Sequence, residues 1–183
     1  LTFQKEFIES PIGQDMRKRG YSEREIAEFL TGTYGENFMR VPNSGAYVGG
    51  TNSHRKQIMS EGQVRSFKGD IIPGPSYSRF NIECKSYKDF AFNQVLSGQT
   101  NKQLENWIEQ AMEVADEGDF TVLFMKFNRQ GTFIATKANP LLVLPYHGTQ
   151  YCSINYGMWY FSELNSFFKL NKNNIQTLTE TIS

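Results

Sequence analysis

The sequence predicts an α/β fold: a mixed β-sheet flanked by helices, with elements in the order helix, strand, strand, strand, helix, strand. Three observations carry this expectation. Ile26, Phe29 and Leu30 recur at helical spacing behind a helix-start signal. Ile71-Ile72 and the run from Phe80 to Lys85 are short apolar stretches bounded by turn residues. Leu104, Trp107, Ile108, Ala111 and Met112 then share one face of a second helix, and the strand-length run Phe120 to Met125 follows. A helix set between runs of strand length is the pattern of a sheet with helices packed on it.

Each element has a local reason. Residues 1–20 signal weakly and end in the basic cluster Arg17-Lys18-Arg19-Gly20. Ser22 followed by Glu25 reads as a capping box, and Gly32 and Gly35 are expected to end the first helix. Asn37 to Val41 reads as a short strand closed by Pro42. Residues 43–68 are polar and glycine-rich without periodicity, a long loop of the kind that is usually functional or disordered. Lys68 to Ile72 is the second strand, turned by Pro73-Gly74-Pro75, and Arg79 to Ser86 is the third. Asn93 to Asn101 reads as a polar connection and Gln103 to Ala115 as a helix. Phe120–Phe127 and Thr132–Thr136 flank Asn128-Arg129-Gln130-Gly131 as a hairpin. Leu141 to Leu144 reads as an edge strand, and Ser162 to Leu170 as a short closing helix capped by Ser162, with the last ten or so residues frayed. There is no internal repeat and no low-complexity tract.

Bulk composition bounds the function. With 183 residues, 39% of them apolar, the chain is long enough for one domain with a substantial core, and 14% aromatic content predicts a core rich in rings. No apolar run reaches membrane-spanning length, and Leu1 to Glu6 lacks a basic-then-apolar leader. Two cysteines, Cys84 and Cys152, make neither a disulfide framework nor a zinc site, and fit a reducing cytoplasm; Cys84 is expected to be a buried strand residue. Two histidines argue against a His-based metal centre. A formal net charge of zero counts against nucleic-acid binding. The distribution counters this: Arg40 to Lys102 carries nine Lys/Arg against four Asp/Glu, whereas from Gln103 onward the balance is five against eight.

The chemistry is concentrated in Gly69-Asp70-Ile71-Ile72 and, thirteen residues later, Glu83-Cys84-Lys85. Alternate strand residues share a face, so Glu83 and Lys85 point one way and Cys84 the other. Two adjacent strands can then converge Asp70 and Glu83 on one divalent cation, with Lys85 where a phosphate oxygen would lie. The plainer alternative is a pair of exposed strand carboxylates and a lysine in a cross-strand ion pair. Tyr47, His54, Arg55, Lys56, Arg65 and Lys68 give the long loop the character of a DNA-tracking flap, or of a solvated surface loop. His54 is a candidate general base with no partner visible in sequence.

Taken together, these residues resemble the PD-(D/E)xK nuclease superfamily and, within it, the Holliday-junction resolvases of archaeal and phage type. The resemblance runs from about Arg17 to Thr136 and rests on four pieces: the basic-Gly cluster with Glu23-Arg24-Glu25, Arg40-Val41-Pro42-Asn43-Ser44-Gly45, Asp70-Ile71-Ile72, and Ile82-Glu83-Cys84-Lys85-Ser86. It implies a restriction-endonuclease-like core over about 17–137, with an extension over about 138–183 in one nuclease domain. It further implies Mg²⁺ or Mn²⁺ on Asp70 and Glu83, catalysis by these two with Lys85, and Glu23 as a further acid reached from the first helix. Glu23 also fits a plain first-turn acid favoured by the helix dipole. Arg24, Arg40 and Ser44, with His54, Arg55 and Lys56 of the loop, become candidate DNA contacts, and Gln103 a polar helix residue near the metal. The implied partners are branched DNA and a second copy of the chain in a homodimer; the implied setting is the cytoplasm of a bacterial, archaeal or phage-infected cell. Gly69 stands where the family often has Pro, the loop after Ser44 is longer than in compact archaeal enzymes, and the segment after Asn139 has no assigned counterpart. These departures leave open a restriction, repair or recombination nuclease cutting duplex or flapped DNA, and a catalytically inactive DNA-binding module.

Overall fold

A computed structural model describes residues 21–41 and 69–181, with the backbone alone at 21 and 22. The first helix, α1 (Tyr21–Tyr34), buries Ile26, Ala27 and Leu30 on one face. Gly32 lies inside α1, and the helix stops at Gly35, whose φ of 75° suits a residue without Cβ and whose N–H closes the last turn onto the Thr31 carbonyl at 2.9 Å. The predicted strand at 37–41 shortens to β1 (Met39–Arg40), which pairs antiparallel with β2 (Ile71–Ile72).

A single 3-10 turn (Pro75–Tyr77) leads to β3 (Phe80–Tyr87). The connection expected at 93–101 contains a short helix, α2 (Phe92–Leu96). Next come α3 (Lys102–Glu113), β4 (Phe120–Phe127) and β5 (Gly131–Lys137). Asn101 caps α3, its side chain accepting from Leu104 N at 2.9 Å.

The C-terminal part departs most from expectation. Leu141–Leu144 is not a strand: Asn171 clasps Val143 on both sides, accepting from its N–H at 2.7 Å and donating to its carbonyl at 2.8 Å. The strands are instead β6 (Thr149–Ser153) and β7 (Gly157–Glu163). The closing helix α4 (Leu164–Thr179) is longer than predicted and is capped by Glu163, not by the buried Ser162; both Glu163 carboxylate oxygens accept helix N–H groups, from Asn165 at 3.0 Å and Ser166 at 2.8 Å. Its end is held rather than frayed, since Thr179 is buried and Thr181 N donates to Ser76 O at 2.8 Å.

The main sheet has the order β3-β4-β5-β7-β6. β3 and β4 are parallel, joined by the α2–α3 crossover that such a pair requires; the remaining pairs are antiparallel. Alternation along β4 divides two cores. Val122 and Phe124 join Ile26, Leu30, Ile82, Phe167 and Ile175 under α1 and α4. Leu123, Met125 and Phe127 join Leu104, Trp107, Ile108 and Phe161 under α2 and α3. Burial on both faces explains why β4 reads as a continuous apolar run. Segment 138–181 thus supplies two strands and a helix to the same sheet.

β3 is the edge that matters. The β1–β2 ribbon is stitched to it by Asp70, whose N–H donates to Ile82 O at 2.8 Å while its carbonyl accepts from Val41 N at 2.9 Å. Gly69 makes this approach possible: its φ is 68°, and a Cβ there would press into the Ile82 carbonyl oxygen and crowd Asn81. Gly69→Ala is therefore expected to lower stability by roughly 1–3 kcal/mol and to displace Asp70. Thermal unfolding alongside Gly32→Ala, at a helical glycine with open space around it, checks this; equal Tm values for the two variants would refute it.

Candidate active site

Three of the sequence-selected residues meet at the β3 edge. Asp70 and Glu83 are both buried, 5% and 9% exposed, in a position where an isolated carboxylate is costly. Asp70 Oδ2 accepts from the backbone N–H of Cys84 at 2.7 Å, which aims the carboxyl across the edge of β3. Lys85 Nζ donates to Glu83 Oε1 at 2.6 Å, as strand alternation requires for residues two apart on one face. Its second partner is Gln110 Oε1 of α3 at 2.9 Å. Gln110, and not the predicted Gln103, is thus the polar helix residue of the site; the two lie two turns apart, so the stripe was legible but the turn was not. The neighbouring residue fixes the helix height: buried Asn81 donates to Ala111 O at 2.9 Å and to Thr121 Oγ1 at 3.1 Å.

Glu23 enters from α1 and ion-pairs with Arg40 of β1. Arg40, a candidate phosphate contact, is therefore committed to a carboxylate at the rim of the site. Arg24 is exposed and, with Arg40, lines an open groove of about 540 Å³ between α1 and β1. Glu25, assigned by sequence to a capping box, forms an ion pair with Lys126 of β4. Cys84 is half-buried and packs against the α1–α4 core; burial, then the charges of Asp70, Glu83 and Glu23, push its thiol well above the usual range, so it is inert as a nucleophile. Trp107 is a core residue. Ser44, Tyr47, His54, Arg55, Lys56, Arg65 and Lys68 lie outside the described residues.

The electrostatics are unbalanced in one direction. Burial, then the Glu83 charge and more weakly that of Glu23, push the Asp70 carboxyl up to about 7, against the opposing Cys84 hydrogen bond and Lys85 charge. For Lys85, burial acts to lower its pKa, but the charge and hydrogen bond of Glu83, aided by Asp70, outweigh it and raise the net value. Lys85 is therefore a cation at neutral pH.

A family model described as phage putative PDDEXK endonuclease matches residues 15–180. The chain belongs to this family. It is thus a member of the PD-(D/E)xK nuclease superfamily, and its five-stranded mixed sheet flanked by helices is the restriction-endonuclease-like fold of that group. The match takes in β6, β7 and α4, which the resemblance read from sequence leaves unassigned. No curated protein and no solved structure matches the chain. Among the described residues no helix is long and apolar enough to cross a membrane.

The donor set fits the divalent metal that such nucleases generally use. Among the described residues no three His, Cys, Asp or Glu side chains cluster as a protein cage. Two buried carboxylates, one of them Asp70 with its ionisation opposed by burial and by the Glu83 charge, instead fit a hard cation that keeps water and takes substrate oxygens.

Proposed function

We propose that this protein is a Mg²⁺- or Mn²⁺-dependent DNA endonuclease, with Asp70 and Glu83 as metal ligands and Lys85 as a catalytic residue, and that it resolves four-way DNA junctions as a homodimer. The observation that carries the reading is the convergence of buried Asp70 and Glu83 with cationic Lys85 at one sheet edge. Asp70 and Glu83 would hold the divalent ion, which would supply Lewis-acid polarisation of the phosphate and a more acidic water. The chain's own contribution is positional. Cys84 N–H fixes the Asp70 carboxyl, and Gln110 holds the Lys85 ammonium beside Glu83. Because Lys85 keeps its proton at neutral pH, its role is to stabilise charge developing on the phosphate rather than to remove a proton from water. Glu23, tied to Arg40, tunes the field at Asp70 from the first helix. Junction preference and two-fold assembly rest on the resemblance to resolvases, since two symmetric strands call for two symmetric sites.

The test is cleavage of a labelled four-way junction and of a linear duplex made of the same arms, with Mg²⁺, by wild type and Asp70→Asn. Junction-selective nicking that depends on Asp70 is expected. Equal Asp70-dependent cutting of both substrates would replace the resolvase with a general duplex or flap nuclease; binding without cutting would leave a DNA-binding module. Lys85→Ala is expected to cost roughly 100-fold in kcat with DNA affinity changed little. Single-turnover cleavage measures it, and a wild-type rate would reduce Lys85 to a surface residue.

A further inference from the structure

The face of β3 that carries Glu83 and Lys85 does not end at Lys85. The next residue on that face is Tyr87, about 7 Å further along the strand. Its backbone is fixed, because β3 stays paired with β4 to the last residue, Tyr87 opposite Phe127, and Asn128 N donates to Tyr87 O at 3.2 Å. Its ring is also held: it packs against the buried Trp107 indole with centroids 4.8 Å apart, and Trp107 in turn stacks on Phe90 at 5.7 Å and 16°. Yet Tyr87 is 46% exposed, and among the described residues its hydroxyl has no hydrogen-bond partner. It also lies within electrostatic reach of Lys85. A rigid aromatic ring, half open to solvent, therefore stands one strand step beyond the phosphate-facing cation, with exposed Lys88 next in sequence.

We propose that Tyr87 is a stacking platform for the base of an unpaired nucleotide adjoining the phosphate held at Lys85. The inference rests on the nuclease reading and deepens it by naming the substrate class. A paired base inside a duplex has no free face to offer a tyrosine, whereas an unpaired base at a branch or flap does. The ring is sequence-tolerant, because every base has a π-face. Preorganisation by Trp107 means that little side-chain freedom is lost on binding.

The test uses fluorescence anisotropy in EDTA, so that no cleavage intervenes. The probes are a fluorescein-labelled single-stranded oligothymidylate and an abasic oligomer of the same length. Tyr87→Leu keeps apolar cover on Trp107 but removes the flat face; Tyr87→Phe keeps the face and removes the hydroxyl. Tyr87→Leu is expected to weaken the oligothymidylate by roughly 5- to 100-fold, Tyr87→Phe to stay within about twofold of wild type, and all three proteins to bind the abasic oligomer alike. Equal binding of oligothymidylate by wild type and Tyr87→Leu overturns the proposal. So does an equal loss on the abasic oligomer, which assigns Tyr87 to structure or backbone contact, and so does failure of wild type to bind either probe. If wild type nicks junctions while Tyr87→Leu binds oligothymidylate normally, the platform falls and the nuclease stands. If the binding pattern is as expected and no DNA is cut with Mg²⁺, the nuclease falls and the platform stands.

Discussion

Asp70→Asn and Glu83→Gln are each expected to reduce metal-dependent DNA cleavage by roughly 10³-fold or more, because a metal contributes several kcal/mol of transition-state charge stabilisation and each decade of rate corresponds to about 1.4 kcal/mol. Both substitutions are nearly isosteric, so the fold is expected to be kept: Asp70→Asn removes a carboxyl whose ionisation burial opposes, and in Glu83→Gln the amide oxygen can still accept from Lys85 Nζ, though that half-buried cation loses its partner charge. In Asp70→Asn the new amide oxygen can still accept the Cys84 N–H that Asp70 Oδ2 takes at 2.7 Å, which keeps the strand edge in place. DNA affinity without metal is expected to hold or to tighten, since each change removes an acid beside the proposed phosphate site, Asp70 itself being only partly ionised near neutral pH. If the two hold one ion, as proposed, the double variant should be no slower than either single one, because residues that act as a unit are not additive. Gel-based cleavage rates and anisotropy, measured on the same preparations, give both readouts. A variant that cuts at the wild-type rate would show that the carboxylate pair is structural. A variant that loses cutting and binding together would assign the residue to the fold of the edge rather than to chemistry.

The site was legible in sequence where period-two alternation governs. Glu83 and Lys85 share a face because a strand gives no other choice, and the flanking Phe80 and Ile82 mark the run as buried. Asp70 could be paired with them only through a tertiary contact, the Asp70–Ile82 backbone bond, and Gly69, which reads in sequence only as a departure from the family's Pro, is the residue that lets the chain pass close to that backbone just before the candidate acid. What alternation cannot supply is which turn of a distant helix lies over the site. The apolar stripe placed α3 over the sheet and put Trp107 in the core, but Gln110 rather than Gln103 meets Lys85, because the height of α3 is set by Asn81 reaching Ala111 O. Likewise the first-turn acids of α1 were visible, while their partners, Arg40 for Glu23 and Lys126 for Glu25, belong to strands far away in sequence.

The C-terminal hairpin escaped for a different reason. β6 turns polar Ser153 inward and exposes Cys152 outward, so hydrophobicity alternates poorly along it. The inward polar groups are satisfied by one side chain of α3: Glu105 accepts from Tyr151 OH at 2.6 Å and from Ser153 Oγ at 2.9 Å. A strand held by a helix carboxylate carries no strand signature of its own. Leu141–Leu144 shows the converse, an apolar run between Pro140 and Pro145 whose central peptide is served by Asn171 instead of a neighbouring strand.

Metal-free wild type is expected to lose stability as pH rises through the neutral range, and Asp70→Asn is expected to abolish that loss. The Asp70 carboxyl ordinarily titrates near 3.8, and in the folded protein burial, with Glu83 next in weight, pushes it up to about 7. A carboxyl raised on folding binds its proton more tightly in the native state. Its contribution to stability is therefore fully present below about 3.8 and is lost as pH rises through about 7. Above that point the native protein carries an ionised carboxylate in a buried, like-charged setting. In EDTA, the Tm of Asp70→Asn should match that of wild type at acid pH and exceed it by several degrees at pH 8. Added Mg²⁺ should raise the wild-type Tm at pH 8 more than that of Asp70→Asn, because the variant lacks the costly Asp70 charge that the cation would offset. A gap that does not change with pH, or a variant less stable than wild type at pH 8, would mean that Asp70 is compensated within the protein. The thermal reading is independent of turnover, so it tests the charge imbalance at the β3 edge even where the substrate is the wrong one. Under the proposed reading it also gives a physical reason for the arrangement: burial and the Glu83 charge make ionised Asp70 costly in the metal-free protein, and a divalent cation bound there would offset that cost.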